Sequence, residues 1–290
     1  MLRRSFILGA CALAMPVLAR AQQTGTVSVL YAGSLVNLME HGIGPAFDKA
    51  TAGTFEGFAG GSNGLANQVK GQLRRGDAFV SAAANVNDTL MGAANGNWVQ
   101  WYITFAQSPV VIGYNPSSKF AADLKTKPWY EVLQESGIRI GRTDPRLDPK
   151  GALTVQLLNH AEQVYKLPGL TQKVLGDLEN PVQVRPEENL VGRLQSGQID
   201  AGFFYSTETS DMKIPAIPLP ADVALSAHYT VTVLRDAANP SGAARFVAFL
   251  LGPQGQAIMR QHGLDAIKPA VTGDAQAAPS SVRSALDAGK

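Results

Sequence analysis

The segments TVSVLYAGSL (residues 26–35) and TFEGFAGGSNGL (residues 54–65) share one design. Each opens with a β-rich run that reads as a strand, passes through small residues, and reaches a serine where helical spacing begins. A third segment, IGRTDPRLDPKG (residues 140–151), follows a strand-like run with a polar, proline-bearing loop and then a helical pattern. A helix start leaves several amide N–H groups unpaired and carries about half a positive charge, so it attracts anions. Glycine lets backbone approach a ligand, and a serine hydroxyl adds a donor without adding charge. Each segment alone is explained by helix capping, because Ser, Asn and Asp are the preferred caps. Three such ends at strand C-terminal edges point to an anion held at the mouth of an α/β sheet.

Outward from these segments the chain alternates short strand patterns with longer helical ones, the signature of an α/β protein. Strands are expected at 26–31, 54–58, 78–82, 109–114, 138–141, 182–185, 199–205 and 228–234, with an edge strand at 214–219, where Pro215 and Pro218 intervene. Helical patterns cover 35–50 (broken near Gly42 to Pro45), 151–165, 187–195, 241–251 and 254–262. Trp98, Trp101, Tyr102 and Phe105 form an aromatic cluster before the fourth strand. The tail from Thr272 is rich in small and polar residues and is expected to be loosely held. The pattern restarts after Tyr114 and returns near His228. This divides the chain into a leader at 1–21, one lobe from 22–108 with 224–290, and a second from 109–223. No internal repeat is evident.

The 290 residues are 45% hydrophobic and 17% charged, which excludes a disordered or fibrous chain and allows two cores. Three of the 25 basic residues (Arg3, Arg4 and Arg20) lie in the first 21 positions, leaving 22 against 23 acidic ones. That balance gives no electrostatic footprint for nucleic acid or an anionic membrane. Arg3-Arg4, the apolar run to Leu18 and Ala19-Arg20-Ala21 read as an export signal cleaved before Gln22, by the general or the twin-arginine route. Cleavage there removes Cys11, the single cysteine, and with it disulfide and thiolate chemistry.

Gly60-Gly61-Ser62-Asn63-Gly64 also fits G-x-S-x-G, the turn that presents a hydrolase serine. A secreted serine hydrolase using Ser62 is therefore the enzymatic alternative, with His228 or His262 as its base. Neither histidine has an obvious orienting acid in sequence. No zinc-protease helix motif, P-loop or dinucleotide fingerprint is present.

The chain resembles the extracellular solute-binding proteins of ABC transporters, most closely their tungstate/molybdate-binding branch. The residues that carry the resemblance are AGSL (32–35), AGGS (59–62), WYEVL (129–133), IGRTDP (140–145) with Asp148-Pro149 and Gly151, RPEE (185–188), SGQID (196–200), and FLL (249–251) with Gly255-Gln256. The resemblance implies a type II two-lobed periplasmic binding protein fold, each lobe a mixed sheet flanked by helices. It implies a non-enzymatic, cofactor-free, monomeric periplasmic protein that captures molybdate, tungstate or a related oxyanion such as sulfate and delivers it to a membrane permease. By position, Gly33, Ser34, Ser62, Asn63, Asp148, Gly151 and Tyr205 would line the ligand site. In the tungstate branch an aspartate of this loop can ligate the metal centre together with a glutamate just before the tyrosine. Phe204 stands at that place here, so Asp148 would ligate with Glu188 or Glu208 as substitute, or the anion would stay tetrahedral. A carboxylate beside a dianion needs neutralising, and Arg142 is the candidate cation.

Overall fold

The computed structural model describes residues 25–51 and 53–288. The leader, its cleavage site and Cys11 lie outside them. Nine strands form one ladder: β1 (Thr26–Ala32), β2 (Thr54–Gly60), β3 (Ala78–Ser81), β4 (Trp101–Tyr114), β5 (Ile140–Gly141), β6 (Ala201–Tyr205), β7 (Ala216–Pro218), β8 (Ser226–Val233) and β9 (Asp265–Gly273). The order is β2-β1-β3-β8-β4-β6-β5, with β7 and β9 also on β4. β1 runs parallel to β2 and β3, and β5 parallel to β6, while every pairing made by β4 and β8 is antiparallel.

β4 organises the molecule. Residues 101–107 pair with β9 on one edge, and residues 103–109 with β8 on the other. From Val110 onward β6 and β7 take over the two edges. One 14-residue strand thus belongs to two mixed groups, with a register shift between Thr104 and Ala106. The aromatic cluster is the first part of this strand, because Trp101, Tyr102 and Phe105 are all buried there.

The helices include α1 (Gly44–Thr51), α2 (Ser62–Lys70), α3 (Pro149–Val164), α4 (Glu187–Gln195), α5 (Ser206–Asp211), α6 (Pro240–Leu251), α7 (Pro253–Gln261) and α8 (Ser280–Ala288), of which α2 and α5 start directly at strand ends. The break expected near Gly42 is a π-turn at Met39–Ile43 before α1. α2 buries Leu65, Ala66 and Val69, three residues at helical spacing, on a cluster with Leu30 and Phe79. α6 buries Phe246, Val247 and Leu250 in the main core.

Two expectations fail. Residues 182–185 are not a strand: a turn at Asn180 captures the amides of Gln183 and Val184, and only Val184 bridges Arg142. The C-terminal tail is not loose. β9 pairs along β4, and α8 packs on α6 with Val282 fully buried. Small residues such as Ala278 suit that close helix contact, so a composition typical of loops here serves packing.

Candidate functional site

The three strand-to-helix segments converge. β1 ends at Gly33-Ser34, β2 at Gly61-Ser62, and the loop after β5 at Asp148, which caps α3. Facing them are Tyr205 at the end of β6, Glu208 on α5, Glu187 at the start of α4, and Tyr229 on β8. All of these residues are buried except Gly61, which is half-buried.

Asp148 holds its helix through one oxygen: Oδ1 accepts from the Lys150 amide at 2.6 Å and from the Thr143 hydroxyl at 3.2 Å. Its Oδ2 is buried without a partner. Lys150, with no exposed surface, donates from Nζ to both oxygens of Glu208 at 2.8 and 2.9 Å, and lies 3.4 Å from Glu187 Oε1. Glu208 Oε2 also accepts from the Tyr205 amide at 2.7 Å. Both oxygens of Glu187 and the hydroxyl of Tyr205 have no hydrogen-bond partner. Ser34 Oγ and the Tyr229 hydroxyl lie 3.0 Å apart, and the Ala82 amide donates to Ser62 Oγ at 3.1 Å.

Three carboxylates therefore face one ammonium in a water-poor space. Burial opposes the charge on Lys150, yet Glu208, Glu187 and Asp148 outweigh it and hold its pKa above the ordinary lysine value. Burial first, and then the neighbouring Asp148 charge, pushes Glu187 well above the usual carboxylate range. Burial also raises Glu208, against the pull of Lys150. Tyr205 and Tyr229 are raised by burial, so both are neutral hydroxyls able to donate. Among the described residues, no group of three or more His, Cys, Asp and Glu side chains is arranged to hold a metal ion. Lys150 occupies the centre that such a cation would need.

The sequence-derived residues divide into three sets. Ser34, Ser62, Asp148 and Tyr205 have their side chains in or beside this cluster. Gly33 and Gly61 are places of close approach: a Cβ on Gly33 would lie 2.9 Å from Glu187 Oε2, and one on Gly61 would lie 2.5 Å from the Leu147 carbonyl oxygen. Gly151 serves backbone packing, since a Cβ there would lie 2.6 Å from the Thr143 carbonyl oxygen. Asn63 is half-buried on a separate cavity of about 310 Å³ with Ala82, Pro149 and His228. Glu188 is exposed, and its neighbour Glu187 reaches the cluster instead. Helix periodicity explains this: Glu187 and Leu190 share the buried face of α4 and Glu188 does not.

Arg142 does not neutralise Asp148. Its guanidinium, fully buried, donates to Gln183 Oε1 and to the carbonyls of Leu178 and Asp177 at 2.8–3.0 Å. Lys150 is the cation of the site, and Glu187 and Tyr229 complete it. No local signal marks a buried lysine; only its place two residues after the cap of α3 sets it facing Glu208. Phe204, where the resemblance expects a glutamate, packs with Val111, Leu190 and Ile199. Ser62 has no histidine among its hydrogen-bond partners in the described residues: His262 pairs with Asp211, and His228 is exposed on β8.

The fold is that of the type II two-lobed periplasmic binding proteins, with mixed groups of strands that share β4. The chain belongs to the bacterial extracellular solute-binding protein family, whose model matches residues 27–265. It is 29% identical to an uncharacterized solute-binding protein of Petrotoga mobilis, over 92% of this chain and 91% of that one. It is 26% identical to a molybdate/tungstate-binding protein of Pyrococcus abyssi, over 86% and 87% of the two chains. The periplasmic molybdate-binding protein of Azotobacter vinelandii superposes with a TM-score of 0.64 at 18% identity, covering 82% of this chain and 98% of that one. Among the described residues, no helix is long and apolar enough to cross a membrane.

Proposed function

We propose that this chain captures molybdate or tungstate between two lobes outside the cytoplasm and hands it to the membrane permease of an ABC transporter. The observation that carries the reading is the convergence of the three strand ends on buried hydroxyls and carboxyls, of which the Tyr205 hydroxyl and Asp148 Oδ2 have no hydrogen-bond partner. In a buried site such atoms call for a ligand. Ser34, Ser62, Tyr205 and Tyr229 supply neutral donors for the oxyanion, and Lys150 supplies the charge. Asp148 adds an oxygen to the metal centre through Oδ2, while Oδ1 keeps its helix capped. Sulfate offers no such position on sulfur, which sets it apart as ligand. Names of relatives that bind molybdate or tungstate support the same reading.

The lobes divide at Ser108/Pro109 on β4 and at Val223/Ala224 before β8, which is where β4 exchanges partners. Residues 1–21 form the export signal, and the mature protein acts as a monomer without catalysis. Calorimetric titration tests the reading. Molybdate and tungstate should bind stoichiometrically and displace sulfate and phosphate. Sulfate binding as tightly as molybdate would overturn it.

A further inference from the structure

Outside the ligand cluster, one group of polar side chains joins parts of the chain far apart in sequence. Asp211, the last residue of α5, receives the Asn37 amide nitrogen on Oδ2 at 2.6 Å. The same carboxylate receives His262 Nδ1, at 2.9 Å from Oδ1 and 3.0 Å from Oδ2. Asn37 follows β1 and His262 follows α7, both in the group built on the first half of β4, whereas α5 extends from β6, which pairs with its second half. A second bond backs the first: the Thr207 hydroxyl of α5 donates to the His262 carbonyl at 3.0 Å. The side chains of His262 and Asp211 are only 17% and 14% exposed, so their contact is far less screened than a surface ion pair. Asn37 and Asp211 also line a cavity of about 310 Å³ whose wall includes Ser34, Glu187 and Glu208. The group thus stands at the rim of a passage from solvent to the site.

We infer that Asp211 is the clasp of the closed protein, a positioning residue that ties the second lobe to Asn37 and His262 and so sets how long a ligand stays. This rests on the two-lobed reading of the proposed function. A ligand's apparent affinity scales with the fraction of protein in the competent conformation, so a clasp that favours closure acts on affinity without touching ligand. It acts mainly on dissociation, as most affinity differences within one site do.

The test uses the mature protein with spin labels on Leu73→Cys and Val182→Cys, two exposed positions, one in each proposed lobe. Pulsed electron paramagnetic resonance reads the inter-lobe distance with and without sodium molybdate. Stopped-flow fluorescence reads molybdate release. Asp211→Ala should shift the distances to longer values and speed release roughly 10- to 150-fold, the effect of losing a hydrogen bond to a charged group. Asn37→Ala, a milder change, should move both readings the same way by less. Asp211→Ala combined with His262→Ala should equal Asp211→Ala alone, because the two share one interaction. Unchanged distances in both Asp211→Ala and Asn37→Ala overturn the clasp. If neither molybdate nor tungstate binds the unmutated protein, the proposed function fails, and the ligand-free distances still decide the clasp.

Discussion

The ammonium of Lys150 lies 2.8 and 2.9 Å from the two oxygens of Glu208, and the pair is shut away from water beneath α3 and α5. Lys150 is thus the buried cation that Glu208 faces, with Glu187 3.4 Å away. Removing one partner of a buried pair leaves an uncompensated charge and costs about 3–5 kcal/mol. Lys150→Met should therefore lower the denaturation midpoint strongly and abolish molybdate binding. Adding Glu208→Gln should recover part of the stability but not the binding. Denaturation curves of the two single variants and the double variant check the coupling, and additive losses would refute it.

Close approach at Gly33 gives a second expectation. Its missing Cβ leaves room for Glu187, and that of Gly61 leaves room for the Leu147 carbonyl. Gly33→Ala and Gly61→Ala should thus hinder the meeting of the two lobes while leaving each lobe folded. Titration calorimetry should record weaker anion binding at a nearly unchanged melting temperature. A melting temperature that falls in step with affinity would mean that the glycines serve folding alone.

The hydroxyls are expected to act singly. Hydrogen bonds to a charged group contribute about 1.5–3 kcal/mol, so Ser34→Ala and Ser62→Ala should each weaken binding roughly 10- to 150-fold. Each change also leaves a buried partner unpaired, the Tyr229 hydroxyl or the Ala82 amide, so stability should fall by about 1–3 kcal/mol without loss of the fold. Equal affinity in both variants and the parent would remove the serines from the site.

Asp148 offers the sharpest contrast between capping and ligation. Asp148→Asn keeps an oxygen for the Lys150 amide, so α3 should stay intact. It removes the charged, unpartnered oxygen, so molybdate affinity should fall by well over one hydrogen bond's worth and the preference over sulfate should vanish. X-ray absorption on the molybdate complex should show a longer oxygen shell beyond the tetrahedral one. A purely tetrahedral shell would reject Asp148 as a ligand to the metal centre.

Stability of the ligand-free protein should decline as pH rises above about 4.5. Burial holds Glu187 and Glu208 protonated to higher pH in the folded chain than their ordinary 4.5 in the unfolded one. The folded state then binds more protons across that window, and the slope of stability with pH is negative. Glu187→Gln should flatten the decline seen in urea titrations as pH rises above 4.5. A slope that persists in the variant would assign it elsewhere.

Much of this was legible in the chain. The strand-to-helix turns at Ser34, Ser62 and Asp148 carry their signals locally, in a β-rich run followed by small residues and a cap, and all three lie where that pattern sets them. The misreadings share a different cause. Val182 and Val184 suggest a strand by type, but Pro181 and the Asn180 turn divert their backbone. Arg142 stands near Asp148 in sequence, but its buried guanidinium satisfies itself on the distant carbonyls of Leu178 and Asp177, which sequence proximity does not reveal. Glu187 rather than Glu188 faces the site because α4 begins at that register, a matter of one residue. Tyr229 and Lys150 join the cluster only through tertiary packing, so nothing near them in sequence announces it.

The passage of β4 through both mixed groups has a mechanical consequence. An unbroken strand acts as a torsion bar: it can twist along its length but hardly stretches. Sliding of one half past the other would strip ladder bonds from β8 and β9 or from β6 and β7, whereas a rotation centred near Ser108 leaves both sets in place. On the two-lobed reading, the motion that costs the fewest ladder bonds is therefore angular, and a ligand that favours closure acts through that angle.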